Sequence, residues 1–121
     1  MESKIMIVDD AMFMRMVIKR TLKAAGYENF TEVGDGREAL ERYKEIRPDL
    51  VLLDITMPER SGLEVLDDIL SEDPKARVIM CSALGQEAVI AQAIQRGARD
   101  FIVKPLKDEM LVQMVKANLK A

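Results

Sequence analysis

Short runs of apolar residues alternate with longer segments in which apolar residues recur every three or four positions, and this alternation occurs five times along the chain. Short runs rich in valine, isoleucine and leucine predict buried strands, whereas the three-to-four spacing predicts helices with one apolar face. The predicted strands cover residues 4–8, 30–33, 50–53, 77–81 and 101–103. The sequence therefore divides into five strand-helix units.

Residues that commonly begin or end helices lie at the ends of the predicted helices. Gly26 and Gly97 are placed to end the first and fourth helices, and Asp35 precedes the second. Ser61, with Glu64 three residues later, has the pattern of a capping box before the third helix. Strands that alternate with helices of this length predict a single-domain α/β fold of (βα)5 type. Its parallel sheet would be doubly wound, with helices on both faces.

Composition narrows the function classes. The chain has 121 residues, no histidine, one cysteine and a formal net charge of −3. We therefore expect one domain without an internal disulfide and without affinity for nucleic acid. With no signal-peptide pattern and no membrane-spanning stretch, we expect a cytoplasmic protein. The absence of histidine excludes histidine zinc sites and Ser-His-Asp triads, so any chemistry must use carboxylates, hydroxyls, lysine or an oxygen-binding metal.

Polar residues follow four of the five predicted strands. The residues are Asp9 and Asp10 after the first strand, Asp54 after the third, Ser82 after the fourth and Lys104 after the fifth. In a parallel sheet the loops after the strands emerge at one edge, where such folds bind ligands. Each of these residues alone would pass for a cap, turn or solvated loop residue. Their joint placement predicts one site.

Three carboxylates at one edge repel one another. At about 6 Å and an effective dielectric constant near 20, each pair costs about 3 kcal/mol. Lys104 offsets part of this charge, and an all-oxygen cluster of acids suits a hard cation such as Mg2+, which also binds phosphate. Because a carboxylate can attack phosphorus, and Asp54 arrives alone on a central strand, we expect Asp54 to be the nucleophile.

Three segments, together with Ser82-Ala83, resemble a known family. They are IMIVDD at residues 5–10, DITMPERSG at 54–62 and DFIVKP at 100–105. Over its whole length the chain resembles the receiver domain of two-component response regulators, and within that family the single-domain chemotaxis response regulators. The resemblance implies a flavodoxin-like fold with strand order 2-1-3-4-5. It also implies one receiver domain over residues 1–121 with no output domain.

The resemblance assigns a role to each residue of the predicted site. Asp54 corresponds to the phosphoryl acceptor, Lys104 to the lysine that contacts the phosphoryl group, and Ser82 to the hydroxyl that binds a phosphoryl oxygen after transfer. Phe101 corresponds to the aromatic residue that swings inward with Ser82. The residues implied in binding Mg2+ are Asp9, Asp10, Asp54 and the backbone carbonyl of Thr56. In this family the bond before Pro105 is cis.

Partners are also implied by the resemblance. The phosphoryl group would come from a sensor histidine kinase or from acetyl phosphate, and the phosphorylated protein would bind a downstream target such as a flagellar motor switch protein. A phosphorelay intermediate, which passes its phosphate to a histidine phosphotransfer protein, is the alternative. A phosphatase is a further candidate partner. We expect a monomer that binds no membrane and catalyses only its own phosphorylation and dephosphorylation.

Other classes fit the sequence less well. An aspartate-nucleophile phosphatase would place its nucleophile after the first strand in an Asp-x-Asp pattern, and a flavodoxin-like cofactor carrier would have a Ser/Thr/Gly-rich loop there. The chain has Asp9-Asp10 instead. Met12, Phe13 and Met16 lie off the apolar stripe of the first helix, where they would either form a docking patch or be covered by neighbouring loops.

Overall fold

Five strands and five helices alternate along residues 2–119, the part of the chain that the computed structural model describes. The strands are β1 (Lys4–Val8), β2 (Asn29–Val33), β3 (Leu50–Asp54), β4 (Val78–Ser82) and β5 (Asp100–Val103). The helices are α1 (Met12–Ala24), α2 (Gly36–Ile46), α3 (Gly62–Glu72), α4 (Glu87–Arg96) and α5 (Asp108–Leu119). The predicted (βα)5 pattern is confirmed.

The strands form one parallel sheet in the order β2-β1-β3-β4-β5, which confirms the strand order implied by the family resemblance. β1 has its predicted ends, whereas β2, β3 and β5 each extend one residue further than predicted, because Asn29, Asp54 and Asp100 also pair through their backbones. β4 is shifted by one residue: it begins at Val78 and ends at Ser82, so Arg77, predicted as its first residue, lies outside it. An apolar pattern detects buried side chains, whereas a polar residue at a strand end can still join the backbone ladder.

Two separate cores cover the two faces of the sheet. On one face, alternate strand residues such as Met6, Leu53 and Met80 pack beneath α2, α3 and α4. On the other face, residues such as Ile7 and Leu52 pack beneath α1 and α5. This two-sided burial explains why the strands read as nearly continuous apolar runs. Between residues 2 and 119, no helix combines the length and the apolar character needed to cross a lipid bilayer.

The predicted helix boundaries are present. The side chain of Asp35 accepts a hydrogen bond from the backbone N–H of Arg37 at the start of α2, and Ser61 with Glu64 forms the complete capping box of α3. Gly97 ends α4 at φ 122° and Gly26 follows α1 at φ 102°, a left-handed region that favours glycine. These local signals fix one end of each of the first four helices.

Gly62 allows the loop after β3 to fold back against the strand that carries Asp54. Its backbone N–H donates to the carbonyl of Ile55 at 2.8 Å. A Cβ atom at this position would lie 2.3 Å from the carbonyl oxygen of Asp54 and 2.6 Å from the Cα of Ile55. Since both are backbone atoms, no side-chain rotation can relieve the overlap.

Replacing Gly62 by alanine is therefore expected to lower the free energy of unfolding by about 1–3 kcal/mol, the range for overpacked sites. Urea denaturation followed by circular dichroism measures the change. Gly26→Ala is the matched control: its cost comes from the φ of 102° alone, because nothing lies within 4 Å of its added Cβ. Gly62→Ala should lose more stability than this control, and an alanine variant as stable as the parent would contradict the close approach.

Candidate functional site

Three carboxylates meet at the carboxyl edge of the sheet. Asp9 follows β1, Asp54 ends β3, and both are buried, whereas the neighbouring Asp10 is exposed. One oxygen from each lies within 4.8 Å of the others. At that separation and an effective dielectric constant near 20, each ionised pair costs about 3 kcal/mol. The structure thus brings together the three acids that the sequence predicted at one site.

Lys104 lies between the two buried acids. Its Nζ is 3.2 Å from Asp9 Oδ2 and 3.2 Å from Asp54 Oδ1. The Lys104 backbone N–H donates to the carbonyl of Ser82 at 2.7 Å, which holds the loop after β5 against the end of β4. The Lys104–Pro105 peptide bond is cis, as the family resemblance implies. One ammonium group therefore contacts both buried carboxylates.

Both burial and neighbouring charges shift the pKa values of Asp54 and Lys104. Burial raises the pKa of Asp54, the neighbouring Asp9 raises it further, and Lys104 only partly lowers it, so the net pKa lies above the ordinary 3.8. For Lys104, burial lowers the pKa, but attraction to Asp54 and Asp9 outweighs burial and leaves the pKa above its ordinary value. The site holds negative charge that one lysine does not fully compensate.

Ser82 is a buried polar residue at the end of the strand next to Asp54. It ends β4, is 0% exposed, and its Oγ has no partner among the described residues. An unsatisfied buried hydroxyl costs about 1–3 kcal/mol. Phe101, in the neighbouring strand β5, is 39% exposed, so its ring is not packed in the core. The Ser82 hydroxyl could therefore donate a hydrogen bond to an acceptor bound at this edge of the sheet.

Thr56 lies two residues beyond Asp54 and is exposed. Its hydroxyl accepts a hydrogen bond of 2.8 Å from Nε2 of Gln86, which lies in the loop between β4 and α4. The same Gln86 side chain accepts a bond of 2.6 Å from the backbone N–H of Ala83. Sequence reasoning missed Gln86, because a glutamine before a helix gives no pattern that distinguishes it from a surface residue.

Arg15 is a second residue that sequence reasoning missed. Its Nη1 donates to the backbone carbonyl of Asp9 at 2.6 Å, while its Nε donates to Glu32 of β2 at 3.1 Å. The guanidinium lies beside Gly34, where a Cβ would come within 3.1 Å of Nη1. An arginine within a helix ordinarily indicates a solvated face, so only the folded structure reveals that Arg15 positions the loop of the acids.

The donor set fits a hard divalent cation. Asp9, Asp10 and Asp54 offer only oxygen ligands, and the exposed position of Asp10 leaves one side open to water. Mg2+ prefers this combination of one or two carboxylates with several waters and a phosphate oxygen. Its charge would offset the repulsion that Lys104 leaves uncompensated.

Comparison with known proteins identifies the class. The family model described as the response regulator receiver domain matches residues 5–116. The chain therefore belongs to the response regulator receiver domains of two-component signalling.

Within this family the chain is similar to chemotaxis proteins named CheY. It is 52% identical over 117 residues to CheY of Listeria monocytogenes, a match that covers 97% of this chain and 98% of that protein. It is 50% identical over 113 residues to CheY of Thermotoga maritima, covering 93% of this chain and 94% of that protein. These matches confirm the predicted resemblance to the receiver family and to its single-domain chemotaxis members.

A solved structure shows the same fold with ligands bound. The CheX–CheY complex with BeF3 and Mg2+ from Borrelia burgdorferi matches with a TM-score of 0.92 and 36% identity, covering 98% of this chain and 90% of that chain. The flavodoxin-like (βα)5 assignment is thereby confirmed.

Asp54→Asn is expected to stabilise the metal-free fold near pH 7 by about 1 kcal/mol, the usual size of one favourable substitution. Because the pKa of Asp54 is raised in the fold, the ionised carboxylate opposes folding at pH values above that pKa. The advantage of asparagine should shrink as the pH falls through the folded pKa, and vanish below the ordinary 3.8, where aspartate is neutral in both states.

Urea denaturation at a series of pH values, in the presence of a chelator, measures this difference. Glu28→Gln is the matched control, because the exposed Glu28 carboxylate lies outside the acid cluster and its removal should change stability less. An asparagine variant that is less stable than the parent at neutral pH would show that the Lys104 contact outweighs burial.

Proposed function

We propose that this chain is a phosphorylation-activated signalling switch. It accepts a phosphoryl group on Asp54 from a sensor histidine kinase or from acetyl phosphate, with Mg2+ as cofactor, and binds a partner protein when phosphorylated. The observation that carries the proposal is the contact of one lysine, Lys104, with two buried carboxylates at 3.2 Å, beside the buried Ser82 hydroxyl, which has no partner within residues 2–119. A structural ion pair would need neither the third acid nor the free hydroxyl.

Phosphoryl transfer requires an in-line nucleophile and neutralised charge. A carboxylate oxygen of Asp54 attacks phosphorus, and the bond from phosphorus to the donor's oxygen or imidazole nitrogen breaks, with its electron pair leaving on acetate or histidine. Asp9, Asp10, Asp54 and the Thr56 carbonyl would hold Mg2+, which neutralises charge on the phosphoryl oxygens when bound. The ammonium of Lys104, freed from Asp54, contacts one of those oxygens.

Conversion of Asp54 to an acyl phosphate supplies acceptors that the site lacks. Ser82 Oγ, which has no partner among the described residues, would donate to a phosphoryl oxygen and draw the loop after β4 inward. The ring of Phe101 would then move from its 39% exposed position towards the space behind Ser82. A population shift from 1:99 to 99:1 requires about 5.5 kcal/mol, which a few charge-assisted hydrogen bonds can largely supply.

This movement would reshape a partner-binding surface. Leu84, Ile90 and Phe101 line a groove of about 520 Å³ between α4 and β5. The near-complete matches to CheY proteins favour a role in chemotaxis, with a flagellar motor switch protein as the downstream partner. The alternative is a phosphorelay intermediate that passes its phosphoryl group to a histidine phosphotransfer protein.

The proposal also covers the cellular location, the oligomeric state and the catalytic activity of the chain. We propose a cytoplasmic monomer that acts as a stand-alone receiver domain and catalyses only its own phosphorylation and dephosphorylation. A phosphatase would be a further partner, and the CheX–CheY complex shows that a similar receiver binds a second protein with BeF3 and Mg2+ present.

The phosphoryl acceptor is tested by incubating the protein with acetyl phosphate and Mg2+ and measuring intact mass. The parent should gain one phosphoryl group, and Asp54→Asn should gain none, because an amide is not a competent nucleophile for this step. Asp67→Asn, which removes an exposed carboxylate from α3, is the control and should be labelled normally. Labelling of Asp54→Asn at the parent's rate would refute the assignment.

The downstream role is tested by capture from lysate with the protein saturated by beryllofluoride and Mg2+, in parallel with the untreated protein. Selective recovery of a motor switch protein would support the chemotaxis role. Selective recovery of a histidine phosphotransfer protein would support the phosphorelay alternative instead.

The apolar patch on α1 suits the approach of the kinase. Met12 and Phe13 are each 70% exposed and Met16 is 56% exposed, so loops do not cover them. Methionine-rich surfaces adapt well to partners. We expect Met16→Asp to slow phosphotransfer from the cognate kinase by about tenfold, which corresponds to about 1.4 kcal/mol of lost contact.

Labelling by acetyl phosphate should be unchanged in Met16→Asp, because this small donor needs no docking surface. Met110→Asp, a matched exposed methionine on α5, should leave transfer from the kinase unchanged. Equal slowing of both donors in Met16→Asp would show that the residue affects the site itself and not the docking of the kinase.

A further inference from the structure

The loop between β4 and α4 is tied to the loop after Asp54 by one side chain. Gln86 Oε1 accepts a hydrogen bond of 2.6 Å from the backbone N–H of Ala83, and Gln86 Nε2 donates to Thr56 Oγ1 at 2.8 Å. Ala83 directly follows Ser82, and Thr56 lies two residues after Asp54. The amide of Gln86 therefore spans the gap between the two loops that flank the phosphoryl acceptor.

We propose that Gln86 is a positioning residue for the phosphoryl switch, and this inference rests on the proposed function. Its side chain holds Ala83, and with it Ser82, in the arrangement of the unphosphorylated site. Release of this bridge is a step in activation. The bridge thereby sets how readily the site accepts a phosphoryl group.

The position of Gln86 in the fold supports this role. Gln86 is the residue before α4, where a side chain commonly caps the helix, yet it makes no capping bond to α4. Both hydrogen-bonding ends of its amide are used by the two loops instead. A glutamine that served only to start the helix would leave Thr56 and Ala83 unconnected.

The backbone of Ser82 cannot shift far without disturbing this bridge. Its buried Oγ has no partner in the part of the chain that the structure describes, and the next backbone N–H along the chain, that of Ala83, donates to Gln86. A shift of Ser82 towards a phosphoryl group on Asp54 carries the Ala83 N–H with it, because the two share a peptide bond. Either the bond to Gln86 breaks, or the Gln86 side chain gives up Thr56 to follow.

The segment around the bridge can accommodate such a shift. Gly85, between Ala83 and Gln86, has φ 87°, and nothing lies within 4 Å of the Cβ that another residue would place there. Open space and a glycine allow the loop to change its backbone angles. Leu84, the residue before Gly85, is 80% exposed and so does not anchor the loop in the core.

The test compares four proteins: the parent, Gln86→Ala, Thr56→Val, which retains the shape of threonine without its hydroxyl, and the double variant. Beryllofluoride affinity in the presence of Mg2+ is measured by isothermal titration calorimetry. Gln86→Ala should bind beryllofluoride about two- to tenfold more tightly, the factor that one ordinary hydrogen bond represents. The double variant should bind no more tightly than Gln86→Ala, because both substitutions remove the same bridge.

A second measurement does not depend on phosphoryl chemistry. In the metal-free protein, the Ala83 amide proton should exchange with solvent faster in Gln86→Ala than in the parent, with the unfolding midpoint in urea unchanged. Gln92→Ala, which truncates an exposed glutamine on α4, is the matched control and should change neither exchange nor affinity.

The outcomes separate this inference from the proposed function. A parent protein that neither takes up a phosphoryl group nor binds beryllofluoride would overturn the proposed function and, with it, the role of Gln86. Normal binding by the parent with unchanged or weaker binding by Gln86→Ala would overturn the role of Gln86 alone. Unchanged Ala83 exchange in Gln86→Ala, or additive effects in the double variant, would overturn it as well.

Discussion

The repulsion among Asp9, Asp10 and Asp54 is the constraint on which the rest of the site depends. Two of these carboxylates are buried, and all three have oxygens within 4.8 Å of one another. Lys104 contacts both buried acids but supplies only one positive charge. A fold selected only for stability would replace one acid by a neutral residue, so the excess charge indicates a functional site and supports the role that we propose for Asp54.

Packing of the strands beneath the acid cluster stabilises the fold against the repulsion within the cluster. The strands that carry Asp9 and Asp54 are buried on both faces of the sheet, between the helix pair α1 and α5 and the three helices α2, α3 and α4. Arg15 holds the carbonyl of Asp9, and Gly62 lets the loop after Asp54 lie directly against its own strand. The cost of gathering like charges is thus offset by packing that does not involve the charges themselves.

Much of the fold and of the candidate site could be predicted from the sequence. The five strands have continuous apolar runs because each is buried on both faces, and Asp9, Asp10, Asp54, Ser82 and Lys104 each follow or end such a run. Parallel topology then brings these residues to one edge, so their proximity follows from the order of strands and helices without knowledge of individual long-range contacts. The strand order and the cis bond at Pro105 were implied by the family resemblance and not by the pattern of residues.

Arg15, Gln86 and the close approach of Gly62 could not be predicted in this way. Each depends on a backbone group of another residue: the carbonyl of Asp9 for Arg15, the N–H of Ala83 for Gln86 and the carbonyl of Asp54 for Gly62. Backbone groups are identical at every position, so the sequence carries no signal for which side chain will reach them. Such contacts become visible only when the loops have been placed.

The hydrogen bond from the Lys104 backbone N–H to the Ser82 carbonyl joins the ammonium-bearing and hydroxyl-bearing loops at 2.7 Å. Neither loop can be displaced far without stretching this bond, so a displacement of one loop should carry the other with it. Two loops joined in this manner should move together between two states. Arrangements in which only one of the two loops has moved should be sparsely populated.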